Sequence, residues 1–279
     1  MARASRLREG LKSLVPARWR RFLRRAAREA PARFKDLPRD AVCVVRPRAF
    51  GGPIPPPGLR SRVGGASRDE FTLVGREGAG TILRAFELCR DIRRAYPDWL
   101  DFGCGCGRLA RWMSGAEPVV RLKGVDVDAA QVRWARQHLP GDFAVMQPSP
   151  PLALGPESFD VVYAISIFTH LNEREQRDWL AELARILRPG GLLVATTHGP
   201  ELSRSCPGLT AGNLATLDTT GFLAVDPGGT FNERSSFHSR QYLESQWGRT
   251  LTPRLFESRG FVSYQDLSVW EKPEAPRRQ

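Results

Sequence analysis

The stretch WLDFGCGCGRLARWMS, residues 99–114, decides the fold. Its first four residues suit a short buried strand, and its last seven place apolar side chains at helical spacing. Between them stand glycines at 103, 105 and 107. Glycine lets a backbone turn tightly and approach a ligand closely, and the start of the following helix offers free N–H groups. The stretch therefore predicts a strand, a ligand-binding turn and a helix.

On either side of this turn, the pattern alternates between strands and helices. Apolar runs predict further strands at 119–125, 143–146, 159–165 and 192–197, and helical spacing predicts helices at 78–95, 108–114, 129–138 and 173–187. The run Arg188-Pro189-Gly190-Gly191 is typical of a helix end. The pattern predicts a doubly wound, mostly parallel, Rossmann-like α/β sheet, closed by an antiparallel strand at 261–270. Ligands bind such sheets at the carboxyl ends of the strands.

The composition of the 279 residues argues against several classes of protein. Hydrophobic residues make up 41%, enough for a core without disulfides, and no apolar run reaches the ~18–20 residues that span a bilayer. The first residues lack the apolar stretch of a secretory signal. Five cysteines are an odd number with no metal-site spacing. We therefore predict a cytoplasmic protein with reduced thiols and no metal.

Positive charge is concentrated at the start of the sequence. Residues 1–35 hold 12 Lys/Arg and two acids, which is +10 of the net charge of +12. Leucines, Trp19 and Phe22 recur there at helical intervals, and Pro16 divides the segment. A basic amphipathic helical arm suits an anionic membrane surface, which predicts a peripheral position at the inner membrane face. A helix packed on its own domain, a transit peptide and a nucleic-acid tail are the alternatives.

One segment precedes the predicted catalytic domain, residues 71–273, and another is an insertion within it. Residues 36–70 are rich in Pro and Gly and are expected to wrap over a surface or act as a linker. Residues 199–235 are long, polar and without clear periodicity, as in many lids and binding loops. We predict that this lid-like insertion closes over an acceptor, and that residues 237–247 (FHSRQYLESQW) begin the next helix.

An acid stands where a nucleoside ligand would need one. Asp126 follows Gly105 by 21 residues, at the end of the next predicted strand, where a carboxylate can accept bonds from both ribose hydroxyls. The spacing does not select the ligand. Counted from Gly105, the loop satisfies the dinucleotide fingerprint with Ala110 in the third position. A nicotinamide or flavin nucleotide is therefore compatible with this spacing.

Four segments in order resemble the class I S-adenosylmethionine-dependent methyltransferases. They are DFGCGCGR (101–108), GVDVD (124–128), ESFDVVYAISIFTHL (157–171) and LARILRPGGLLVATTHG (183–199). Residues 59–65, 236–247 and 265–273 are similar to a bacterial subgroup associated with glycan or secondary-metabolite modification. The resemblance implies S-adenosylmethionine as cofactor and methyl transfer to a small-molecule or glycan acceptor at oxygen.

The resemblance also implies roles for single residues. Asp101 is expected to bond a backbone amide or the methionine ammonium region, Asp126 the ribose, and Val127 to lie beside the adenine. Gln147 follows the third strand, where many relatives carry an acid, and is expected to contact the adenine; Ser166 is expected at the methionine end. The predicted donor site comprises Asp101, Gly103, Cys104, Gly105, Gly107, Asp126, Val127, Gln147 and Ser166.

Three histidines are candidate catalytic residues. Methyl transfer is an in-line displacement, and an oxygen acceptor usually needs a base to remove its proton. His170 follows the fourth predicted strand and His198 the fifth, so both can face the acceptor, and His238 lies near Tyr242. Alternatively, His170 caps the following helix or braces its loop. Two rival functions stay open: an RNA or protein methyltransferase that uses the basic arm, and a non-catalytic binding module.

Overall fold

The computed structural model describes residues 53–64, 67–226 and 234–274. The predicted basic arm, residues 1–35, and the first part of the predicted wrap, residues 36–52, lie outside these ranges. Within the described ranges, no helix combines the length and the apolar character needed to cross a membrane.

The elements alternate along most of the chain. The helices are α1 (Pro57–Arg60), α2 (Arg68–Cys89), α3 (Ala110–Met113), α4 (Ala129–His138), α5 (Glu173–Ile186), α6 (Pro200–Ser205), α7 (Ala211–Thr220) and α8 (Arg240–Gln246), with 3-10 turns at Ser61–Val63, Phe168–His170 and Trp247–Arg249. The strands are β1 (Asp98–Phe102), β2 (Arg121–Asp126), β3 (Asp142–Val145), β4 (Phe159–Ala164), β5 (Leu187–Thr197), β6 (Phe222–Val225), β7 (Ser235–His238), β8 (Thr252–Phe261) and β9 (Gln265–Glu271).

A seven-stranded sheet forms the centre, in the order β3-β2-β1-β4-β5-β9-β8. The first five strands are parallel, and β9 is antiparallel to both β5 and β8. The predicted doubly wound, mostly parallel, Rossmann-like sheet with an antiparallel closing strand is therefore confirmed. The strand order reverses between β1 and β4, so their carboxyl ends form the switch point where such folds bind ligands.

Both faces of the sheet are covered by helices. Trp99 of β1 packs on one face against Phe86 of α2, with ring centroids 4.9 Å apart. Phe102 of the same strand packs on the other face against Trp179 of α5, at 4.8 Å. Alternate residues of a strand point to opposite faces, so one strand contributes to two apolar layers. Both faces of the sheet are thus covered, so a ligand would bind at the ends of the strands.

Helix α2 differs from its prediction at both ends. It runs from Arg68 to Cys89 rather than over 78–95. The Ser67 side chain accepts a hydrogen bond from Glu70 N (3.0 Å) and starts the helix earlier. Gly75 lies within this helix and is a packing residue. A Cβ there would lie 2.5 Å from the Arg108 carbonyl oxygen.

The predicted stop after α5 lies within a strand. β5 begins at Leu187, and the Arg188–Gly191 run belongs to it. The pairing of β4 with β5 shifts between Phe159 and Val161, which accommodates the extra residues as a bulge. Gly190, with φ of +71°, has a backbone conformation that favours glycine. Glycine and proline therefore ended the helix as predicted, but they also shaped the start of the strand.

The C-terminal part holds more regular structure than was predicted. The predicted closing strand 261–270 spans the end of β8, a turn and β9, and the polar strand β8 was missed. Residues 199–226 of the lid-like insertion hold α6, α7 and β6, and β6 pairs with β7. Four buried side chains unite these elements: Leu202, Leu217, Leu223 and Phe237. Residues 237–247 hold the end of β7 and then α8. Closure over an acceptor stays a prediction.

Candidate functional site

The turn after β1 depends on glycine at each of its three glycine positions. Gly103, Gly105 and Gly107 have φ of +81°, +53° and +76°, which L side chains rarely adopt. The space is also closed to larger residues. A Cβ at Gly105 would lie 2.5 Å from Val63 Cγ1 and 2.9 Å from Gln131 Oε1. The loop therefore holds its shape only with these glycines.

Asp126, at the end of β2, is tied to this loop. Its Oδ2 accepts a hydrogen bond from Gly105 N (2.8 Å), and its Oδ1 accepts one from Asp128 N (2.8 Å). Burial raises the pKa of Asp126, and these two backbone bonds counteract the rise. Each carboxylate oxygen can accept a further bond. The carboxylate is thus oriented in advance for a hydroxyl-bearing ligand.

The ends of β2 and β3 present two exposed side chains. Val127, directly after β2, is 44% exposed, and Gln147, two residues after the end of β3, is also exposed. Met146 N donates to the Asp126 carbonyl oxygen (2.9 Å), which holds the two strand ends together. The residues that the resemblance assigns to the adenine thus lie on adjacent strands, beside the acid that it assigns to the ribose.

Asp101 is buried in β1, and its register partner is Tyr163 of β4. Burial raises the pKa of Asp101 to about 8; the Tyr163 hydroxyl and Arg108 oppose the rise, and the Asp126 charge adds to it. A carboxyl that keeps its proton at neutral pH can donate as well as accept a hydrogen bond. A bound ammonium group would favour its ionised form.

The two cysteines of the loop are packing residues. Cys104 and Cys106 are buried, which raises the pKa of both thiols, that of Cys106 to about 12. A thiol with such a pKa is neither a nucleophile nor a ready metal ligand at neutral pH. Within the described ranges, no group of at least three His, Cys, Asp or Glu residues is placed to hold a metal ion.

Ser166 links the loop after β4 to β5 and β9. Its N–H donates to Thr196 Oγ1 (2.8 Å), and its hydroxyl donates to Gln265 Oε1 (3.0 Å). Its φ is +61°, uncommon for serine. The next residue, Ile167, fills the space beside Gly103 where a Cβ would otherwise lie. Ser166 is therefore held next to the glycine loop, on the β4 side of the switch point.

His170 is held in one tautomer. Its Nδ1 lies 2.9 Å from the backbone carbonyl oxygen of Arg234. A carbonyl only accepts, so Nδ1 carries the proton and Nε2 keeps its lone pair. The Arg234 side chain pairs with Glu175 (2.6 Å) and Asp226 (3.0 Å), which fixes the position of that carbonyl. Burial lowers the pKa of His170, so the ring is neutral at neutral pH.

His238 is a structural partner of α5. Its Nε2 lies 2.9 Å from Gln176 Oε1, and the Gln176 amide donates to the carbonyls of Phe168 (3.1 Å) and Leu171 (2.9 Å). Those two bonds fix the amide orientation, so His238 Nε2 donates to Gln176. Complete burial lowers the pKa of His238 to about 3. So low a pKa makes it a poor base near neutral pH.

His198 lies between the other two histidines in an aromatic environment. Its ring centroid is 5.4 Å from that of Phe237 and 5.7 Å from that of Tyr264. Burial lowers its pKa well below the usual value, and His170 and His238 add to the effect. The structure therefore brings the three histidines together beside β4 and β5, and only His170 is part-exposed.

Several residues of this site were missed from the sequence. Gln131, Gln176 and Gln265 are buried polar residues that contact the loop or the histidines. Gln131 Oε1 has no hydrogen-bond partner among the described residues, and it lies beside Gly105. One feature could have pointed to Gln131: this residue is in the first turn of the helix that follows Asp126.

The chain is similar to a known protein family. The model of a protein family described as a methyltransferase domain matches residues 100–195, from β1 to β5. Residues 100–195 are a methyltransferase domain. The predicted resemblance is therefore confirmed, and S-adenosylmethionine is the methyl donor that this family indicates.

Individual relatives agree with the methyltransferase domain but cover only parts of the chain. A malonyl-[acyl-carrier protein] O-methyltransferase of Methylococcus capsulatus is 28% identical over 134 residues, 45% of this chain and 48% of its own length. A tRNA U34 carboxymethyltransferase of the same organism is 29% identical over 189 residues, 64% of this chain and 55% of its own. The chain thus spans about half the length of these curated relatives.

A solved structure supports the fold. The S-adenosylmethionine-dependent methyltransferase of Methanosarcina mazei has a TM-score of 0.51 and 17% sequence identity, over 65% of this chain and 95% of its own. At this identity the likeness concerns the fold alone.

Proposed function

We propose that the protein transfers a methyl group from S-adenosylmethionine to an oxygen of a small-molecule or glycan acceptor. The observation that carries the proposal is the joint geometry of the glycine loop and Asp126. The loop has positive φ at three glycines, and one of its N–H groups is bonded to the carboxylate that faces the same strand end. The proposed place of the reaction is the cytoplasm, at the inner membrane face where the arm meets anionic lipid.

The donor site that we propose fits the hydrogen-bonding groups of this cofactor. Asp126 would accept bonds from the ribose hydroxyls, Val127 and Gln147 would flank the adenine, and Asp101 would face the ammonium region. Ser166 would line the methionine end, and Gly103, Cys104, Gly105 and Gly107 would form the wall. The unpartnered Gln131 Oε1 offers one more acceptor to a ligand rich in donors. When bound, the cofactor supplies a sulfonium-activated methyl group.

We propose His170 as the base that receives the acceptor's proton. Its Nε2 lone pair is available because Nδ1–H is engaged by the Arg234 carbonyl. Its lowered pKa keeps it unprotonated at neutral pH. His238 and His198, which the sequence also suggested, are buried. They would hold the wall of the acceptor site.

Donor binding tests the proposed pocket. Gly105→Ala and Asp126→Asn should each abolish binding of S-adenosylhomocysteine, since a Cβ does not fit at 105 and a neutral amide replaces the ribose-binding carboxylate. Titration calorimetry provides the measurement. Gly80→Ala is the matched control, because nothing lies within 4 Å of a Cβ at that position, and Asp142→Asn removes a carboxylate at the opposite edge. Unimpaired binding in both site variants would mean that the pocket lies elsewhere.

Catalysis by His170 has a separate test. The acceptor is first identified by incubating the protein with labelled donor and cell extract, then isolating what acquires the label. With that acceptor, kcat/KM should fall on acidification, because protonation of His170 removes the base. Burial lowers the pKa of His170, so this fall should lie below the ordinary histidine range. His170→Asn should lower kcat by about 10²–10⁴-fold and abolish the acid limb. If the acid limb persists in the variant, His170 is not the base.

A second candidate is methylation of RNA or protein, which the net charge of +10 in residues 1–35 favours. The relatives whose names specify tRNA and acyl-carrier protein belong to these classes. A nucleic-acid substrate would show a steep loss of affinity with salt, because Lys and Arg release counterions from phosphates. Salt-independent KM values would favour the small-molecule or glycan acceptor. A protein without donor binding would instead be a binding module of another kind.

A further inference from the structure

Residues 53–64, here called the strap, pack directly on the glycine loop. Arg111 Nη2 donates to the Pro53 carbonyl oxygen (3.1 Å), and the Arg108 side chain donates to that of Val63. Cys106 Sγ lies 3.9 Å from the Leu59 carbonyl oxygen. Each of these contacts joins the strap to residues 106–111, the second half of the loop and the start of α3. The strap therefore runs along the second half of the loop.

Two side chains at the end of the strap reach the proposed donor pocket itself. Val63 lies over Gly105, where a Cβ would come within 2.5 Å of its Cγ1. Arg62 forms an ion pair with Asp128, two residues beyond the proposed ribose-binding acid. Asp128 also begins α4, since its Oδ1 accepts bonds from Ala130 N (3.0 Å) and Gln131 N (3.3 Å). The strap thus bridges the glycine loop and the turn after β2.

We propose that the strap is the outer wall of the donor site and that the Arg62–Asp128 pair is the latch that holds it closed. This inference rests on the proposed function. The strap contacts both Gly105 and Asp128. Asp126, which would bind the ligand, accepts hydrogen bonds from the backbone N–H groups of these same two residues. A nucleoside bound to Asp126 would therefore lie beneath the strap, and it enters and leaves when the latch opens.

The strength of the latch suits such a role. The Arg62 and Asp128 side chains are 49% and 23% exposed, so solvent screens their attraction. Exposed ion pairs typically shift an equilibrium by about two- to five-fold. Such a pair holds a short segment closed but opens readily. Ser61–Val63 form a short 3-10 turn, and Gly64 follows it with φ of +79°, a left-handed residue at the end of the strap.

The latch is tested with Arg62→Gln, Asp128→Asn and the double variant. Asparagine still caps α4, so Asp128→Asn removes the ion pair without removing the start of the helix. Each single change should raise the Kd for S-adenosylhomocysteine by about two- to five-fold and accelerate its dissociation. The double variant should show no more than the larger single effect. Arg174→Gln removes an exposed pair on α5 and should leave the Kd unchanged.

Hydrogen exchange separates a strap from a merely supporting segment. In the wild-type protein, the amides of residues 59–64 should exchange more slowly when S-adenosylhomocysteine is bound, and Arg62→Gln should reduce that protection. The proposed role of the strap would be overturned if the effects of the two changes on Kd were additive. It would also be overturned if the ligand left the exchange of these amides unchanged. Wild-type protein that binds no S-adenosylhomocysteine would overturn the proposed function and the strap with it. Wild-type binding with unchanged variants would overturn the strap alone.

Discussion

At the scale of single residues, burial sets the protonation of the groups around the switch point. Asp101 has a pKa of about 8 because desolvation penalises its charge, so it is largely neutral at pH 7. Burial also disfavours the charged form of His170, which is its cation, so it lowers the pKa of this histidine and leaves the ring neutral. Both groups thus carry no charge before ligands arrive. A ligand charge placed beside Asp101 would change that.

The raised pKa of Asp101 predicts that a proton is released when the donor binds. The ammonium group of S-adenosylhomocysteine favours the carboxylate, so the pKa of Asp101 should fall below 7 and up to one proton should leave the protein at pH 7. The calorimetric enthalpy of binding should then vary with the ionisation enthalpy of the buffer. Asp101→Asn should remove this variation. A wild-type enthalpy that is the same in all buffers would show that the ammonium group lies elsewhere.

At the scale of elements, long-range hydrogen bonds connect the β6–β7 pair to α5. His238 of β7 donates to Gln176 of α5, and the Ser236 hydroxyl donates to the Leu171 carbonyl oxygen (2.6 Å) just before that helix. The capping box between Asn172 and Glu175 starts α5 at this point. These bonds place Arg234, which directly precedes β7, beside the turn that carries His170.

This junction should respond to acid. The unfolded state protonates His238 near pH 6.5, but the folded state does so only near pH 3, so the free energy of unfolding should fall as pH falls through this window. The loss is about 1.4 kcal/mol per pH unit for one such group. His238→Phe should destabilise the protein at pH 7 by about 1–3 kcal/mol, because Gln176 Oε1 loses its partner, yet flatten the pH dependence. Urea unfolding at several pH values measures both; an unchanged slope would contradict the assignment.

At the scale of the whole molecule, charge and catalysis are separated along the chain. Residues 36–279 are near neutral, whereas residues 1–35 carry +10. The described part accounts for the proposed donor and acceptor sites without the arm. The amphipathic pattern of the arm favours an anionic lipid surface, and that remains a prediction from the sequence.

Deletion of residues 1–35 tests the arm. The shortened protein should keep its affinity for S-adenosylhomocysteine and its turnover of a soluble acceptor, because the described pocket contains none of these residues. It should lose co-sedimentation with vesicles that contain phosphatidylserine, which the full chain should show. Vesicles of phosphatidylcholine alone are the control. Pelleting that is unaffected by the deletion would refute the membrane contact.

The sequence alone was sufficient for the fold class, and it led to the centre of the donor site that we propose. The strand, the glycine turn and the helix are contiguous, so φ preferences and apolar spacing act within a few residues and can be read from the local sequence. Gly105 and Asp126 were proposed in this way. It was insufficient for α2, because the reason for Gly75 is a contact with the backbone of Arg108. Residue spacing also did not reveal β8, whose polar sequence forms a strand through its pairing with β9.

Only the tertiary structure distinguished the three histidines and revealed the strap. The sequence offered His170, His198 and His238 on equal chemical terms. Their tautomers and burial depend on partners 62 to 67 residues away, and such partners have no local pattern. Arg62 likewise meets Asp128 across 66 residues. Backbone conformation is determined by neighbours in the chain, whereas proton positions and ion pairs are determined by which distant segments the fold packs together.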